Sequence, residues 1–288
     1  MPLWIIFALA SVLTMAIAEL AQKFVMVSKD NISAEANNFV VWNFQALWGL
    51  LFLLIFVNSP VPHLNYLFFL KLVLLSVIYF WGGTFYYSSY KGNSAGLSAI
   101  LITISVIVST TLGIIFFNES SSFQKFIGLF LVITALIIVN LNRSEKFNKY
   151  SILALSGGLL YGFAFTLDKS FVLQINPHLY LPIFCFSVGW VGLLFRGKTI
   201  VTDLKKISGL SLRTMVLSSL GGFAFNTFTF LSYINRGDVG RVDAINNLAI
   251  ILIIIFEIII FKQKTELIRK IAAALVAITG LYLLGTAI

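Results

Sequence analysis

The sequence predicts an all-α membrane protein of ten transmembrane helices, arranged as two inverted five-helix repeats. Three observations point there. Of the 288 residues, 59% are hydrophobic and only 11% are charged, whereas a soluble domain keeps about a quarter of its residues charged. Too few charges remain to cover a water-facing surface, and the mean hydropathy of +0.97 points to lipid as the solvent. Apolar runs recur at about the 20-residue length that a helix needs to cross hydrocarbon. Finally, the second half of the chain repeats the first.

The elements follow in order. Helices are expected over Leu3–Lys23, Asn38–Val57, Tyr66–Tyr90, Ser94–Phe117 and Phe123–Leu141. A polar break runs from Asn142 to Lys149, and five more helices come after it. These are Tyr150–Leu173, Leu179–Phe195, Leu212–Tyr233, Val239–Phe261 and Glu266–Thr286. The first run is read as a retained helix rather than a signal peptide, because no Lys or Arg precedes Lys23 and no small-residue cleavage site follows. The glycine pairs Gly82-Gly83, Gly157-Gly158 and Gly221-Gly222 fall inside the third, sixth and eighth helices, where they allow close backbone approach. Residues 1–141 and 150–288 form the two repeats.

The repeat is visible without gaps. Ala8 through Lys23 aligns on Ala154 through Lys169 at an offset of 146, and Ser94-Ala95-Gly96 aligns on Asp238-Val239-Gly240 at an offset of 144. An odd number of spans per repeat turns the second copy upside down relative to the first. Many secondary transporters use such inverted repeats to alternate access to a midplane site.

At these residues the chain resembles the EamA-like family of the drug/metabolite transporter superfamily. Members carry Trp-Gly and then Lys in the first helix of each half. Here the second half has Tyr161-Gly162 and Lys169, and the first has Met15-Ala16 and Lys23. Ser94-Ala95-Gly96, a long apolar run and Asn118-Glu119 keep the family's register in the fourth helix. Val106 stands where a proline is usual, which predicts a straighter fourth helix, and Gln263 replaces the glutamate after the ninth. The resemblance implies a secondary transporter of the cell membrane, inner or plasma, that exports or exchanges a small organic metabolite such as an amino acid or amphipathic solute. It also implies that the first, third, fourth, sixth, eighth and ninth helices line the cavity.

Other classes are excluded or left as competitors. The net charge of +9 comes from Lys and Arg scattered between apolar runs, which fits loops beside an anionic leaflet rather than a nucleic-acid surface. No Walker sequence, metal-ligand spacing or cofactor motif is present. Cys185 is alone, and its expected role is that of a small buried apolar residue. An enzyme is not expected. An intramembrane enzyme acting on a lipid-linked substrate would need paired groups, for which Glu19 and Asp243 are the plausible carboxylates. A non-transporting scaffold is the third reading. Lipid, a small-molecule substrate and protons are the expected partners, and both monomer and homodimer remain open.

Ionisable groups in a span cost at least about 2.5 kcal/mol near the centre, so each is a candidate for function. Glu19 is the leading one, either as a proton-titratable group on the cavity or as an ion-pair partner of Lys23 one turn away. Lys169 inherits both readings of Lys23 through the repeat. Asp168 is expected to be water-exposed at a helix end, and Glu257 to lie at the interface. Tyr86, Thr103, Tyr161, Asn226, Asp243 and Asn247 complete the expected cavity, with Thr103 the repeat mate of Asn247. Interhelical hydrogen bonding is the alternative role for this polar set. Fifteen of the 20 Lys and Arg residues lie in odd-numbered loops. The positive-inside rule therefore sets both termini outside, whereas the resemblance implies termini in the cytoplasm.

Overall fold

Helix α1 spans Leu3–Met26 and α2 spans Ala34–Phe56; α3 follows over Tyr66–Ser89. The computed structural model describes residues 2–56, 65–140, 148–261 and 267–286, and every regular element among them is helical. The fourth predicted helix is two pieces, α4 (Ala95–Ile102) and α5 (Ile104–Phe117), and α6 covers Phe123–Asn140. The second half contains α7 (Lys149–Val172), α8 (Pro177–Leu204) and α9 (Gly209–Ile234). Its ninth predicted helix is also split, into α10 (Val239–Asn246) and α11 (Ala249–Phe256), the latter running into a π-helical turn, Glu257–Phe261. The last helix is α12, Leu267–Thr286. Arg143, Lys146, His63, Lys262 and Gln263 lie outside the described residues.

Polar residues at the breaks start the helices. Asn65 accepts from the Phe68 N–H at 2.9 Å, Asn148 from the Tyr150 and Ser151 N–H groups at 2.9 Å each, and Ser94 from the Leu97 N–H at 3.1 Å. Such caps satisfy donors that the first turn leaves open. α8 runs past its predicted end at Phe195 because the chain kinks at Arg196 (φ −135°, ψ 23°) and then resumes helix. α4–α5 is interrupted at Thr103 even though Val106 replaces the proline. The expected straightening is therefore absent. The Val106 N–H instead reaches the Thr103 carbonyl at 3.0 Å, three residues back, which tightens the turn locally. The repeat-mate position behaves alike, since α10 stops at Asn246 with Asn247 as its cap.

Among the described residues, eight helices are long and apolar enough to cross a membrane; α2 and α6 are the other two in the series. The closest packing partners come from opposite halves: α1 with α9, α2 with α8, α3 with α7, and α6 with α12. Following neighbours gives a closed ring, α1–α9–α2–α8–α3–α7–(α4/α5)–(α10/α11), which returns to α1. α6 and α12 cross outside it, where Gly128 and Gly280 bring the two backbones together. Gly82 and Gly157 do the same between α3 and α7, and Gly221 lies on the α1 backbone near Thr14. Exchanging the halves maps this ring onto itself, as an inverted repeat requires. Large apolar side chains, Leu54, Phe116, Phe130 and Leu194 among them, stud the outside, where lipid would cover them. Among the described residues, the odd-numbered connections lie at one end of the ring and the even-numbered ones at the other.

Candidate functional site

A cavity opens midway along the ring, with about 80 Å³ of positions open to the centre of a water-sized sphere. One water needs about 10–15 Å³ on that measure, so several waters or one small solute fit. Glu19, Tyr86, Tyr161, Asn226 and Asn247 line it, as do Met15, Tyr79, Tyr87, Ile102, Ser105 and Phe165. All six helices expected at the cavity contribute. So does α2, through Trp42 and Gln45, which the resemblance did not place there. A polar residue in the middle of an apolar run was the available signal, because a Gln in a span must face protein or water.

Glu19 is buried on the wall, and its Oε2 accepts from Tyr86 Oη at 2.7 Å and Tyr90 Oη at 3.3 Å. The expected ion pair with Lys23 is absent. Lys23 Nζ donates instead to the carbonyl oxygens of Tyr90 and Asn93, both at 2.6 Å. The turn linking α3 to α4 leaves those carbonyls without helical partners, and the ammonium satisfies them. Lys23 therefore points away from the cavity. Its repeat mate Lys169 donates to the Gly237 carbonyl at 3.0 Å, the position equivalent to Asn93, and pairs with Glu119 Oε1 at 2.9 Å. Neither lysine lines the cavity.

Thr103 is also off the wall. It is fully buried, and its hydroxyl turns back to the Ile100 carbonyl at 2.7 Å, three residues earlier. Asp243 lies one layer behind the wall. Its carboxylate accepts from Ser109 at 2.8 Å, Ser105 at 3.4 Å and the Asn247 amide at 2.7 Å. Among the described residues no hydrogen bond joins it to Glu19. Asn226 donates to Gln45 at 2.9 Å across the cavity.

Two carboxylates differ from expectation. Asp168, expected at a wet helix end, is wholly buried and accepts from Tyr79 and from Tyr180, the latter at 2.6 Å. Sequence shows that it shares no face with Lys169, but not which helices close over that face. Glu257, expected at the interface, is buried and accepts from the N–H groups of Ala95 at 2.7 Å and Gly96 at 3.0 Å. It thereby holds the start of α4, as Glu119 holds the start of α10 by accepting from the Val239 N–H at 2.7 Å. Gly96 has no side chain to block Glu257, and Gly113 makes the same room for Glu119. The sequence offset of 144 from Glu119 falls on Gln263 rather than Glu257. Asn118 explains the discrepancy: its left-handed backbone (φ 52°) turns Glu119 back under α5, whereas Glu257 acts from the helix itself.

A ring of helices with two broken members and a polar cavity midway along it is the architecture of a polytopic membrane protein. The model of the EamA-like transporter family matches residues 2–141 and again 148–286. The chain belongs to that family, whose members are transporters of the drug/metabolite type. Among solved structures, one described only as the crystal structure of a protein aligns over 96% of this chain and 94% of its own, with a TM-score of 0.69 and 12% identity. At that identity the likeness concerns the fold alone. No curated protein matches the sequence.

Proposed function

We propose that this protein is a secondary carrier with ten spans that exports or exchanges a small organic metabolite by alternating access, with Glu19 as the proton-coupling group. The single observation that carries this reading is the mid-depth cavity between the two halves, with a carboxylate on its wall that no Lys or Arg pairs with among the described residues. Amides from Gln45, Asn226 and Asn247 and rings from Trp42, Tyr86 and Tyr161 surround the same space. That mixture suits a solute with both polar and apolar parts, such as an amino acid.

The reciprocal ties support the motion. Glu257 joins the end of the ninth predicted helix to the start of the fourth at the odd-loop face. Glu119 does the reverse at the even-loop face. Releasing one while keeping the other opens one side at a time. The test is uptake of an amino-acid and metabolite panel into proteoliposomes, with and without a pH gradient. Wild-type protein should accumulate at least one solute faster with the gradient. Glu19→Gln should fold and exchange solute but lose the gradient's effect. A Glu19→Gln protein with unchanged gradient dependence removes Glu19 from coupling, and a wild type that moves nothing in the panel overturns the carrier.

A further inference from the structure

Asp168 is a buried carboxylate to which the cycle above gives no task. It lies one turn before the end of α7 with no exposed surface. Its oxygens accept from Tyr79 on α3 and Tyr180 on α8. No Lys or Arg pairs with it among the described residues, and the adjacent Lys169 turns to Glu119. The other titratable groups around it are the buried Cys185 thiol on α8 and Tyr233 on α9. The Tyr233 hydroxyl is buried without a hydrogen-bond partner and interacts electrostatically with Asp168, with Asp243 of α10 and with Glu119. Where α4 and α5 pack on α7, Ile104 and Val108 lie against Gly158 and Gly162, and the Ser105 and Ser109 hydroxyls turn to Asp243.

Hydrogen-bond geometry alone does not call for an aspartate here. An asparagine carbonyl would accept from a tyrosine without placing a charge in a dry interior, where a lone ionised group is expensive. What the aspartate adds is the capacity to take up and release a proton.

Position gives that capacity a use. The Tyr79 ring lines the cavity while its hydroxyl reaches Asp168. On the other side the Tyr86 ring lines the cavity while its hydroxyl reaches Glu19. Tyr161 stands between, with ring centroids 5.6 Å from Tyr79 and 6.3 Å from Tyr86. Glu19 lies seven residues, about 10 Å, from the odd-loop end of α1, and Asp168 lies four residues, about 6 Å, from the even-loop end of α7. The two carboxylates thus bracket the cavity along the transport direction.

We propose that Asp168 is a second proton-binding group, serving the even-loop side as Glu19 serves the odd-loop side, with Tyr79 passing the proton between Asp168 and the cavity. In that step Tyr79 gives its hydroxyl proton to the carboxylate and takes the incoming proton from a hydronium in the cavity, which is left as water, so the ring stays neutral. The transport consequence rests on the carrier reading above; the protonation does not.

Two measurements on the full chain keep those separate. In lipid nanodiscs, pH-titrated infrared difference spectra should show a carboxylic-acid carbonyl band that Asp168→Asn removes and Tyr79→Phe shifts, distinct from a band that Glu19→Gln removes. An Asp168→Asn spectrum superimposable on wild type overturns the proposal. If Asp168→Asn does not survive purification, an unshifted band in Tyr79→Phe overturns it equally. In proteoliposomes supplied with an amino-acid mixture, Asp168→Asn should keep exchange at equal pH and lose acceleration by a gradient. Full acceleration overturns the proposal. A wild type that moves no amino acid in the mixture counts against the carrier reading, while the infrared bands still decide Asp168.

Discussion

The two ends of the ring solve one problem with different chemistry. At each end a lysine from the first helix of a half and a glutamate from the opposite half tie down a turn and a helix start. At the even-loop face the two are joined: Lys169 and Glu119 form an ion pair with side chains only 10% and 3% exposed, and the second Glu119 oxygen is buried without a partner. At the odd-loop face they act apart. Lys23 holds two carbonyls, and both Glu257 oxygens are met by backbone N–H groups. The first tie depends on one charge finding another; the second depends on helix-terminal backbone groups, which are rigid and do not titrate. An inverted repeat copies positions, and the chemistry at those positions is free to diverge.

Breaking the even-loop tie should have the largest effect. Glu119→Ala leaves the Lys169 ammonium buried without its carboxylate, and the expected loss is about 3–5 kcal/mol. Unfolding by denaturing detergent in mixed micelles would measure it. Lys169→Met in the same chain should restore part of that stability, because it removes the stranded charge. Glu119→Ala unfolding with wild type would show that this face is not held by the pair.

Glu257→Gln comes next. The amide oxygen still accepts from one N–H of α4 while the other loses its charged partner, and about 1.5–3 kcal/mol should go. The double-mutant cycle sharpens the contrast. Lys23→Met and Glu257→Gln should combine more nearly additively than Lys169→Met and Glu119→Gln, since only the latter pair is in direct contact. Equal coupling energies at both faces would erase the distinction. The smallest effect is expected at Ser109→Ala. Asp243 keeps Ser105 and Asn247, and hydrogen bonds between membrane helices average only about 0.6 kcal/mol. A loss several times larger in the same assay would place Asp243 among the structural ties.

Much of this was legible in the chain. The lysine repeat at an offset of 146 marked Lys23 and Lys169 as equivalent, and both do bind the turn between the third and fourth helices of their own half. The Asn118-Glu119 pair was recognisable as a motif, and Glu19 as a buried ionisable group in a span. Spacing misled where it was asked about depth. Asp168 looked wet because it stands close to a helix end, yet Tyr79 and Tyr180 cover it from two other helices. Glu257 looked interfacial because Lys262 follows soon after, and counting 144 residues forward from Glu119 reached Gln263. Thr103 was placed on the cavity by analogy with Asn247, but its shorter side chain folds back on its own turn.

The amino-acid order alone determined that the chain is helical, that its helices are apolar enough for lipid, and that the second half repeats the first. Each of these follows from local quantities: run length, residue type and the spacing of matched residues. Tertiary structure alone decided which polar groups meet. The ring interleaves the halves, so Glu257 reaches Ala95 and Tyr79 reaches Asp168 across sequence separations that no periodicity encodes. Whether a buried carboxylate becomes a helix tie or a proton site depends on the donors packed against it, and those come from distant helices.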